Sequence, residues 1–190
     1  MQAIGKRINQ YMVERLNIEA AEVSERRDDF LKAFGTTLNA LRRFYPVDPD
    51  EYLDYVHDLP LSRYLRYEPE LDQMLGRMEL RKIIFTNADA KHARRVLAQL
   101  GIIRHFESII DIHMLDFVNK PDRRAYLKAL DFVSVRPEEC VLVEDSMVNI
   151  ISAAKLGMTT VMVGEGSRTG GAHYHIERIA ELEELIERLS

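Results

Sequence analysis

The spacing of apolar residues changes near residue 80, and this change constrains the fold more than any other feature of the sequence. Beyond it, four short apolar runs alternate with amphipathic helical patterns, and they cover residues 82–86, 108–112, 140–143 and 159–163. Strands that alternate with helices of this length predict a parallel sheet covered on both faces. Residues 79–190 are therefore predicted to form an α/β domain.

The first part of the chain has a helical spacing throughout. Ile4, Ile8, Met12 and Leu16 recur every four residues, which places them on one face of a helix. Further helical patterns follow, and Pro46 interrupts them. Residues 1–78 are therefore predicted to form a separate, all-helical domain.

Composition and charge narrow the class of protein. The chain has 190 residues, of which 46% are apolar and 30% charged, as is typical of a soluble globule. A net charge of −5 without a basic tract argues against binding to nucleic acid or to membrane surfaces. Cys140 is the sole cysteine, and the N-terminus lacks the apolar core of a signal peptide. These features predict a cytoplasmic protein and leave its oligomeric state open.

The first candidate site residues follow the run 82–86. Thr86 and Asn87 come at the carboxyl end of this predicted strand and just before a helix, which is where open α/β sheets bind ligands. A hydroxyl group beside the amides of a helix N-terminus would bind an anion such as phosphate. The alternative is that Thr86 or Asn87 only caps the helix.

The second candidate is Lys120, which precedes Pro121 at the predicted start of another helix. Proline suits the first position of a helix, but the positive end of the helix dipole is unfavourable for a cation. We therefore expect Lys120 to pair with a carboxylate or a phosphate in the cleft at the sheet end. The alternative is a solvated surface lysine.

The third candidate is the pair Glu144 and Asp145, which follows the apolar run 140–143 directly. Two adjacent carboxylates repel each other unless a cation or a lysine neutralises them. Oxygen ligands of this kind suit Mg²⁺, which takes one or two carboxylates and keeps several waters. The alternative is helix capping by Asp145 or Ser146.

The order of these three features along the chain resembles motifs two, three and four of the haloacid dehalogenase superfamily. Within it, the pyrimidine 5′-nucleotidase-type branch is the most similar, on the strength of residues 83–97, 119–130 and 141–161. Three stretches of the first part resemble the helical cap of that branch, namely 11–18, 34–41 and 47–58. The resemblance implies a Rossmannoid three-layer sandwich with a parallel sheet, plus an all-helical cap domain.

The resemblance also implies an activity. Members of this kind are Mg²⁺-dependent phosphatases that act on small phosphorylated metabolites through an aspartyl-phosphate, and a pyrimidine nucleotide is one candidate substrate. Thr86 and Asn87 would bind the phosphoryl group, and Lys120 would neutralise it. Asp145 would hold Mg²⁺, with Glu144 in a further or supporting role.

A substrate-binding segment in the cap is implied by the resemblance alone. Its candidate residues are Phe34, Gly35, Thr36 and Thr37.

The nucleophile that the resemblance requires has no match in the sequence. The family carries it on a strand that ends in Asp-x-Asp-x-Thr or Val and lies between the strands that here are 82–85 and 140–143. The one Asp-x-Asp is Asp48-Pro49-Asp50, and Pro49 cannot donate to a sheet, so we interpret it as a helix cap. We therefore expect this 190-residue chain to lack turnover, its two facing strands to be left unpaired, and upstream coding sequence to supply the missing strand.

Other classes of protein are also considered. A non-catalytic relic that binds phosphate or a partner protein stays open. A response-regulator receiver is rejected because its acidic pair would come before the Thr and Lys, whereas Glu144 and Asp145 come after them. A dinucleotide-binding domain is disfavoured because no strand runs into Gly-x-Gly-x-x-Gly. A true dehalogenase would differ from a phosphatase in needing no Mg²⁺.

Overall fold

The computed structural model describes residues 2–164 and 170–189. Its helices are α1 (Gln2–Leu16), α2 (Val23–Phe34), α3 (Thr37–Phe44), α4 (Pro49–His57), α5 (Pro69–Arg77), α6 (Ala90–Leu100), α7 (Arg123–Val133), α8 (Met147–Ala154) and α9 (Leu182–Leu189). Its strands are β1 (Ile83–Phe85), β2 (Ser108–Ile110), β3 (Val141–Glu144), β4 (Thr159–Val163) and β5 (Tyr174–Ile176). Among the described residues, none of the helices has the length and apolar character needed to cross a membrane.

The strands are parallel, as the alternating pattern predicts, but they form two sheets. β1 pairs with β2, and β3, β4 and β5 pair in that order. In the part of the chain that the structure describes, no ladder joins β1 to β3. This separation confirms the expectation that the two strands are left unpaired. We call the space between β1 and β3 the seam.

Strand β5 is the one strand of the described residues that the sequence pattern does not predict. It has three residues, which is too short for an alternating pattern to stand out. Its pairing with β4 begins opposite Val161, so a neighbouring strand fixes it more than its own residues do.

Helices α1 to α4 pack around their own apolar cluster, which includes Tyr11, Met12, Leu41 and Val56. The segment that leads into α4 explains the Asp-x-Asp motif. Asp48 is the N-cap of α4, and its Oδ1 accepts hydrogen bonds from the amides of Asp50 and Glu51 at 2.8 and 3.0 Å. The interpretation of this motif as a helix cap is therefore confirmed.

Helix α5 packs on the α/β part of the chain. Its residues Met74 and Leu75 share an apolar cluster with Leu97 of α6 and Ile102. At its end, Arg77 donates two hydrogen bonds of 2.6 Å to Glu183 of α9. The predicted domain boundary at residue 78 falls just after this helix and stays a prediction.

Apolar side chains hold the two sheets together on both faces of the seam. On one face, Tyr126 of α7 packs with Leu142 of β3, and its ring meets that of Phe85 of β1 edge-on at 5.4 Å. On the other face, Met78 packs against the clusters of both sheets. The sheets are therefore fixed side by side although no hydrogen-bond ladder of the described residues connects them.

A buried cluster of two histidines and an aspartate joins α4 to α6. Nδ1 of His57 lies 2.5 Å from Oδ2 of Asp89, and the rings of His57 and His92 stack at 4.0 Å. Nδ1 of His92 is buried and has no hydrogen-bond partner within the described part of the chain. Burial and the charge of His57 lower the pKa of His92 to about 4.

Replacing His92 with phenylalanine is expected to flatten the dependence of stability on pH. In the unfolded chain His92 titrates near 6.5, whereas in the folded chain it titrates near 4. The unfolded state therefore binds more protons between these values, and stability falls by up to about 3 kcal/mol as the pH drops from 6.5 to 4. Urea unfolding at pH 4, 5, 6 and 7 measures this loss, which His92→Phe should remove.

The exposed Val148 provides the control for this experiment, since Val148→Ala removes no titratable group and should leave the pH dependence of the parent in place. Equal slopes for the parent and His92→Phe between pH 4 and 6.5 would contradict the prediction. Below that range, Asp89 adds a separate loss. Burial raises the pKa of Asp89, but the hydrogen bonds from His57 and from the His92 amide outweigh this and hold it well below its usual range.

Candidate functional site

Thr86 and Asn87 leave β1 at its carboxyl end, where the sequence places them. The amide of Thr86 extends the β1–β2 pairing by donating to the carbonyl of Ile110 at 3.0 Å, and its Oγ1 accepts from the Ala88 amide at 3.0 Å. Helix α6 is capped by Asp89, whose Oδ1 accepts from the amide of His92 at 2.7 Å. The alternative that Thr86 or Asn87 is the helix cap is therefore wrong.

Asn87 holds the backbone of Lys120. Its Oδ1 accepts from the Lys120 amide at 2.8 Å, and its Nδ2 donates to the Lys120 carbonyl at 3.0 Å. These two bonds link the end of β1 to a loop 33 residues later in the chain. Asn87 therefore contacts the candidate lysine directly and fixes its position relative to β1.

Lys120 lies before a helix, but not in its first turn. Asp122 is the N-cap of α7, and the helix starts at Arg123, so Pro121 precedes the cap. The prediction that Pro121 occupies the first helical position is therefore wrong by two residues. The charge of Lys120 is compensated by pairing with the side chain of Glu144.

The ammonium of Lys120 lies across the seam. Its Nζ donates to the carbonyl of Phe85 on β1 at 2.8 Å and to Oε2 of Glu144 on β3 at 2.7 Å. Both charged side chains are only 9% exposed, and Nζ lies 4.7 Å from the centre of the Phe85 ring. The predicted pairing of Lys120 with a carboxylate is confirmed, and a solvated surface lysine is excluded.

Glu144 accepts hydrogen bonds with both carboxylate oxygens. Besides the bond from Lys120, its Oε1 accepts from the amides of Asp145 and Ser146 at 3.1 and 3.2 Å. Burial raises the pKa of Glu144, but the charge and hydrogen bond of Lys120 outweigh this and lower it. Glu144 is therefore held ionised at the end of β3.

Asp145 has the opposite environment. Its side chain is exposed, and its hydrogen bond with Glu144, followed by partial burial and the charge of Glu144, raises its pKa. Ser146, the N-cap residue of α8, makes no side-chain capping bond. Of the two carboxylates, Asp145 is thus the one that is open to a ligand.

The fit to Mg²⁺ depends on the oxygen donors around Asp145. Within residues 2–164 and 170–189, no group of three or more potential metal-ligating side chains comes together. Magnesium needs only one or two protein carboxylates, because waters and substrate phosphates complete its octahedron. Asp145 fits one of these positions, whereas the oxygens of Glu144 are engaged by Lys120 and backbone amides.

Of the four cap candidates, Gly35 and Phe34 have different surroundings. Gly35 lies against the side chain of Asn119, next to Lys120, so the structure brings this point of the segment to the site. Phe34 instead meets the ring of Phe44 at 5.5 Å, and Phe44 is 60% exposed on the surface. Phe34 therefore packs against another aromatic residue on the outside of the helical part.

The two threonines of the segment differ as well. Thr36 is the N-cap of α3, where its Oγ1 accepts from the amide of Asn39 at 3.2 Å. Thr37 is only 2% exposed, and its Oγ1 has no hydrogen-bond partner among the residues described. A buried hydroxyl without a partner costs free energy, which a ligand could recover.

Sequence reasoning missed Asn39 and Asn119. Nδ2 of Asn39 donates to Oδ1 of Asn119 at 2.5 Å, and Nδ2 of Asn119 donates to the carbonyl of Lys120 at 2.7 Å. Isolated asparagines have no periodic signature in a sequence, so no signal in the chain could have singled out this pair.

A comparison of this sequence with known protein families identifies the family of the chain. The sequence pattern of the haloacid dehalogenase-like hydrolases matches residues 3–157. The chain belongs to this family.

Two curated proteins similar to this chain are a phosphoglucomutase and a phosphatase. The chain is 30% identical over 95 residues to a β-phosphoglucomutase of Bacillus subtilis, a match that covers 50% of this chain and 42% of the relative. It is 28% identical over 116 residues to a phosphoglycolate phosphatase of Chromobacterium violaceum, covering 60% and 52%. The chain thus spans about half the length of the curated relatives it matches.

Solved structures share the fold of this haloacid dehalogenase-like hydrolase. A HAD phosphatase from Thermococcus onnurineus superposes with a TM-score of 0.64 at 21% identity, covering 95% of this chain and 86% of that one. An L-2-haloacid dehalogenase from Xanthobacter autotrophicus superposes with a TM-score of 0.63 at 15% identity, covering 100% and 86%. At these identities the likeness establishes the fold alone. The phosphatase and the dehalogenase both have this fold.

Proposed function

We propose that this hydrolase is a phosphatase of small phosphomonoesters and that Thr86, Asn87 and Lys120 bind the phosphate. The observation that carries this proposal is the buried ammonium of Lys120 between the ends of β1 and β3. An ammonium has three N–H donors, and Lys120 uses two of them on Phe85 and Glu144. The third is available to a phosphate oxygen.

Charge supports phosphoryl transfer at this position. Phosphoryl transfer depends mainly on positioning and on neutralising the negative charge of the transferred group. Lys120 supplies positive charge in a site shielded from water, where it acts more strongly than in solvent. Thr86 adds a hydroxyl group one residue from the Phe85 carbonyl that Lys120 contacts. The two groups are therefore suited to hold one phosphate together.

The attacking carboxylate is proposed to come from a strand in the seam. β1 and β3 have their carboxyl ends together, because Lys120 contacts both, and among the described residues neither strand has a partner on the side of the seam. A parallel strand inserted there would pair with both neighbours and deliver its last residue beside Lys120. An aspartate at that point could attack phosphorus, so that a bond from its carboxylate oxygen to phosphorus forms as the bond from phosphorus to the alcohol oxygen breaks, and the second Asp of the motif would give the leaving oxygen its proton.

Magnesium is proposed as the cofactor, with Asp145 as the protein ligand and Glu144 in support. When bound, the ion would neutralise charge on the phosphate oxygens. Glu144 would act through its neighbours, since it orients Lys120 and accepts from the amide of Asp145.

The helical part is proposed as a cap that selects the substrate. Gly35 contacts Asn119 beside Lys120, and Thr37 has a buried hydroxyl group without a partner in the described chain, so this segment could contact the substrate. A pyrimidine nucleotide, as in the pyrimidine 5′-nucleotidase-type branch, is the proposed substrate, and phosphoglycolate is the alternative suggested by the relative from Chromobacterium violaceum. The cytoplasmic location stays a prediction.

A second candidate function is binding of phosphate without turnover. It is favoured by the role of Asp48 as a helix cap, which places the one Asp-x-Asp motif of the sequence at the start of α4 and not at the end of a strand. In that case the lysine site would bind phosphate or a phosphorylated partner but would not cleave it.

Inorganic phosphate should bind to the 190-residue chain, and Thr86→Val should weaken this binding. A hydrogen bond to a charged group contributes about 1.5–3 kcal/mol, so we expect the dissociation constant to rise roughly tenfold or more. Isothermal titration calorimetry with phosphate, in the presence and absence of Mg²⁺, measures the change.

Thr159→Val is the matched control for this titration. Thr159 pairs with Val141 at the amino ends of β4 and β3, at the opposite edge of the sheet from the site. Its substitution should leave phosphate binding unchanged. If Thr86→Val and Thr159→Val bind phosphate as the parent does, Thr86 is not a phosphate ligand.

In a chain that is supplied with the attacking carboxylate, Asp145→Asn should abolish the Mg²⁺-dependent activity. Asn lacks the charge that Asp145 would offer to the ion. Glu144→Gln should have a milder effect, roughly 10–100-fold, because the amide retains an oxygen that can accept from the neighbouring backbone. Initial rates over a range of Mg²⁺ concentrations distinguish the two, and equal, negligible effects would refute both assignments.

A further inference from the structure

The start of helix α3 is bonded to the loop that carries Lys120. Asn39 of α3 donates from Nδ2 to the carbonyl of Phe117 at 2.9 Å and to Oδ1 of Asn119 at 2.5 Å. These residues are 78 and 80 positions apart in the chain. The contact therefore joins the helical part directly to the proposed phosphate site.

Asn119 transmits this contact to Lys120. Its side chain is buried, and its Nδ2 donates to the Lys120 carbonyl at 2.7 Å. The same carbonyl accepts a second bond from Asn87, at 3.0 Å. The Lys120 peptide is thus held from two sides, by the end of β1 through Asn87 and by α3 through Asn119.

The residues around Asn119 are closely packed. Gly35 has a φ of +75° and lies so close to the Asn119 amide that a methyl group at this position would collide with it. The guanidinium of Arg42, one turn further along α3, lies 4.0 Å from the centre of the Phe117 ring. The loop 117–119 is therefore clamped along the face of α3 and the turn before it.

The clamped loop has a strained backbone. Asp116 and Phe117 have φ values of 51° and 61°, in the left-handed region that non-glycine residues rarely adopt. Such conformations persist where surrounding contacts enforce them. The bonds from Asn39 and the contact with Arg42 are contacts of this kind, so removing them should let the loop relax and shift Asn119.

We infer that Asn39 is a positioning residue for Lys120. The position of the lysine side chain therefore depends on the position of α3 relative to the loop 117–119. The functional part of this inference rests on the proposed role of Lys120 in phosphate binding. The structural part does not, because it concerns only the position of the ammonium across the seam.

The test uses the chemical reactivity of Lys120 in the 190-residue chain. Acetylation by a dilute acylating reagent, followed by peptide mass spectrometry, gives the rate at each lysine. Lys120 should react slowly because it is buried and paired, and the exposed Lys6 and Lys155 are internal references. Asn39→Ala should raise the rate at Lys120 about fivefold, the change expected for one net hydrogen bond, and leave the references unchanged.

Further variants keep the test decisive. Asn9→Ala is the matched control, because Asn9 bonds Ser24 and Arg27 within the helical part, and it should not alter the Lys120 rate. If Asn39→Ala does not fold, Asn39→Asp replaces it, since the isosteric carboxylate lacks the donor. Asn119→Ala should also raise the Lys120 rate, and the double variant with Asn39→Ala should not exceed the larger of the two single effects.

An unchanged Lys120 rate in both folded Asn39 variants would overturn the inference, as would fully additive effects of Asn39→Ala and Asn119→Ala. Titration with inorganic phosphate separates this from the proposed function. If Asn39→Ala raises the Lys120 rate but the parent chain binds no phosphate, the coupling is supported and the phosphate site is refuted. A raised rate with weaker phosphate binding would support both.

Discussion

Lys120→Met is expected to lower the free energy of unfolding by about 3–5 kcal/mol, the cost of leaving one member of a buried ion pair alone. Glu144 would remain buried at the end of β3 without its cation, and the carbonyl of Phe85 would lose its donor. Lys120 also connects the two sheets, which no ladder joins in the described part of the chain, so its loss weakens the seam itself. Equilibrium unfolding in urea, followed by circular dichroism, measures the change.

The double variant Lys120→Met/Glu144→Gln separates charge from packing. It should recover part of the lost stability, because no unpaired charge then stays buried. Lys91→Met is the control on an exposed pair, since Lys91 bonds Asp54 at the surface and should change stability by less than about 1 kcal/mol. If Lys120→Met were no more destabilising than Lys91→Met, the buried pair would contribute little to the fold.

A strand placed in the seam is expected to raise phosphatase turnover by several orders of magnitude. Thr86, Lys120 and Asp145 can position and neutralise a phosphate, but none of them can serve as the attacking carboxylate of the proposed mechanism. Joining an apolar strand that ends in Asp-x-Asp-x-Thr to the start of the chain, through a flexible linker, would supply it. Turnover with Mg²⁺ is measured for both chains on pyrimidine nucleotides and phosphoglycolate.

Two controls test whether the strand acts as proposed. The same fusion with Asn at the first Asp should fill the seam but give no turnover. Amide hydrogen exchange should slow on β1 and β3 in both fusions, because their free edges would then be paired. Robust Mg²⁺-dependent hydrolysis by the 190-residue chain, abolished by Asp48→Asn or Asp50→Asn, would instead place the nucleophile at the start of α4.

Much of the fold was predictable because its signals are local. The alternation of apolar runs and helical patterns after residue 80 predicts parallel strands, and β1 to β4 lie where it puts them. Asp48 is recognisable as a cap because Pro49 follows it and rules out a strand. These features depend on residues within one or two turns of each other, so the chain itself carries the information.

The site was predictable only in part. The charge of Lys120 requires a nearby anion, and the carboxylate pair after β3 requires a nearby cation. The pairing of Lys120 with this carboxylate pair therefore follows from charge. The identity of the helix cap did not follow, because Thr86, Asn87 and Asp89 all have suitable side chains, and only the observed start of α6 selects Asp89. Capping depends on the φ and ψ angles of one residue, which composition does not determine.

By itself, the sequence determined which residues carry the proposed chemistry and at which strand ends they lie. The tertiary structure decided how they are held. It directs Oε2 of Glu144 to Lys120, leaves Asp145 exposed, and bonds Asn39 to Asn119 across 80 residues. Such contacts have no periodic signature, because they arise where elements pack together and polar groups removed from water must find partners.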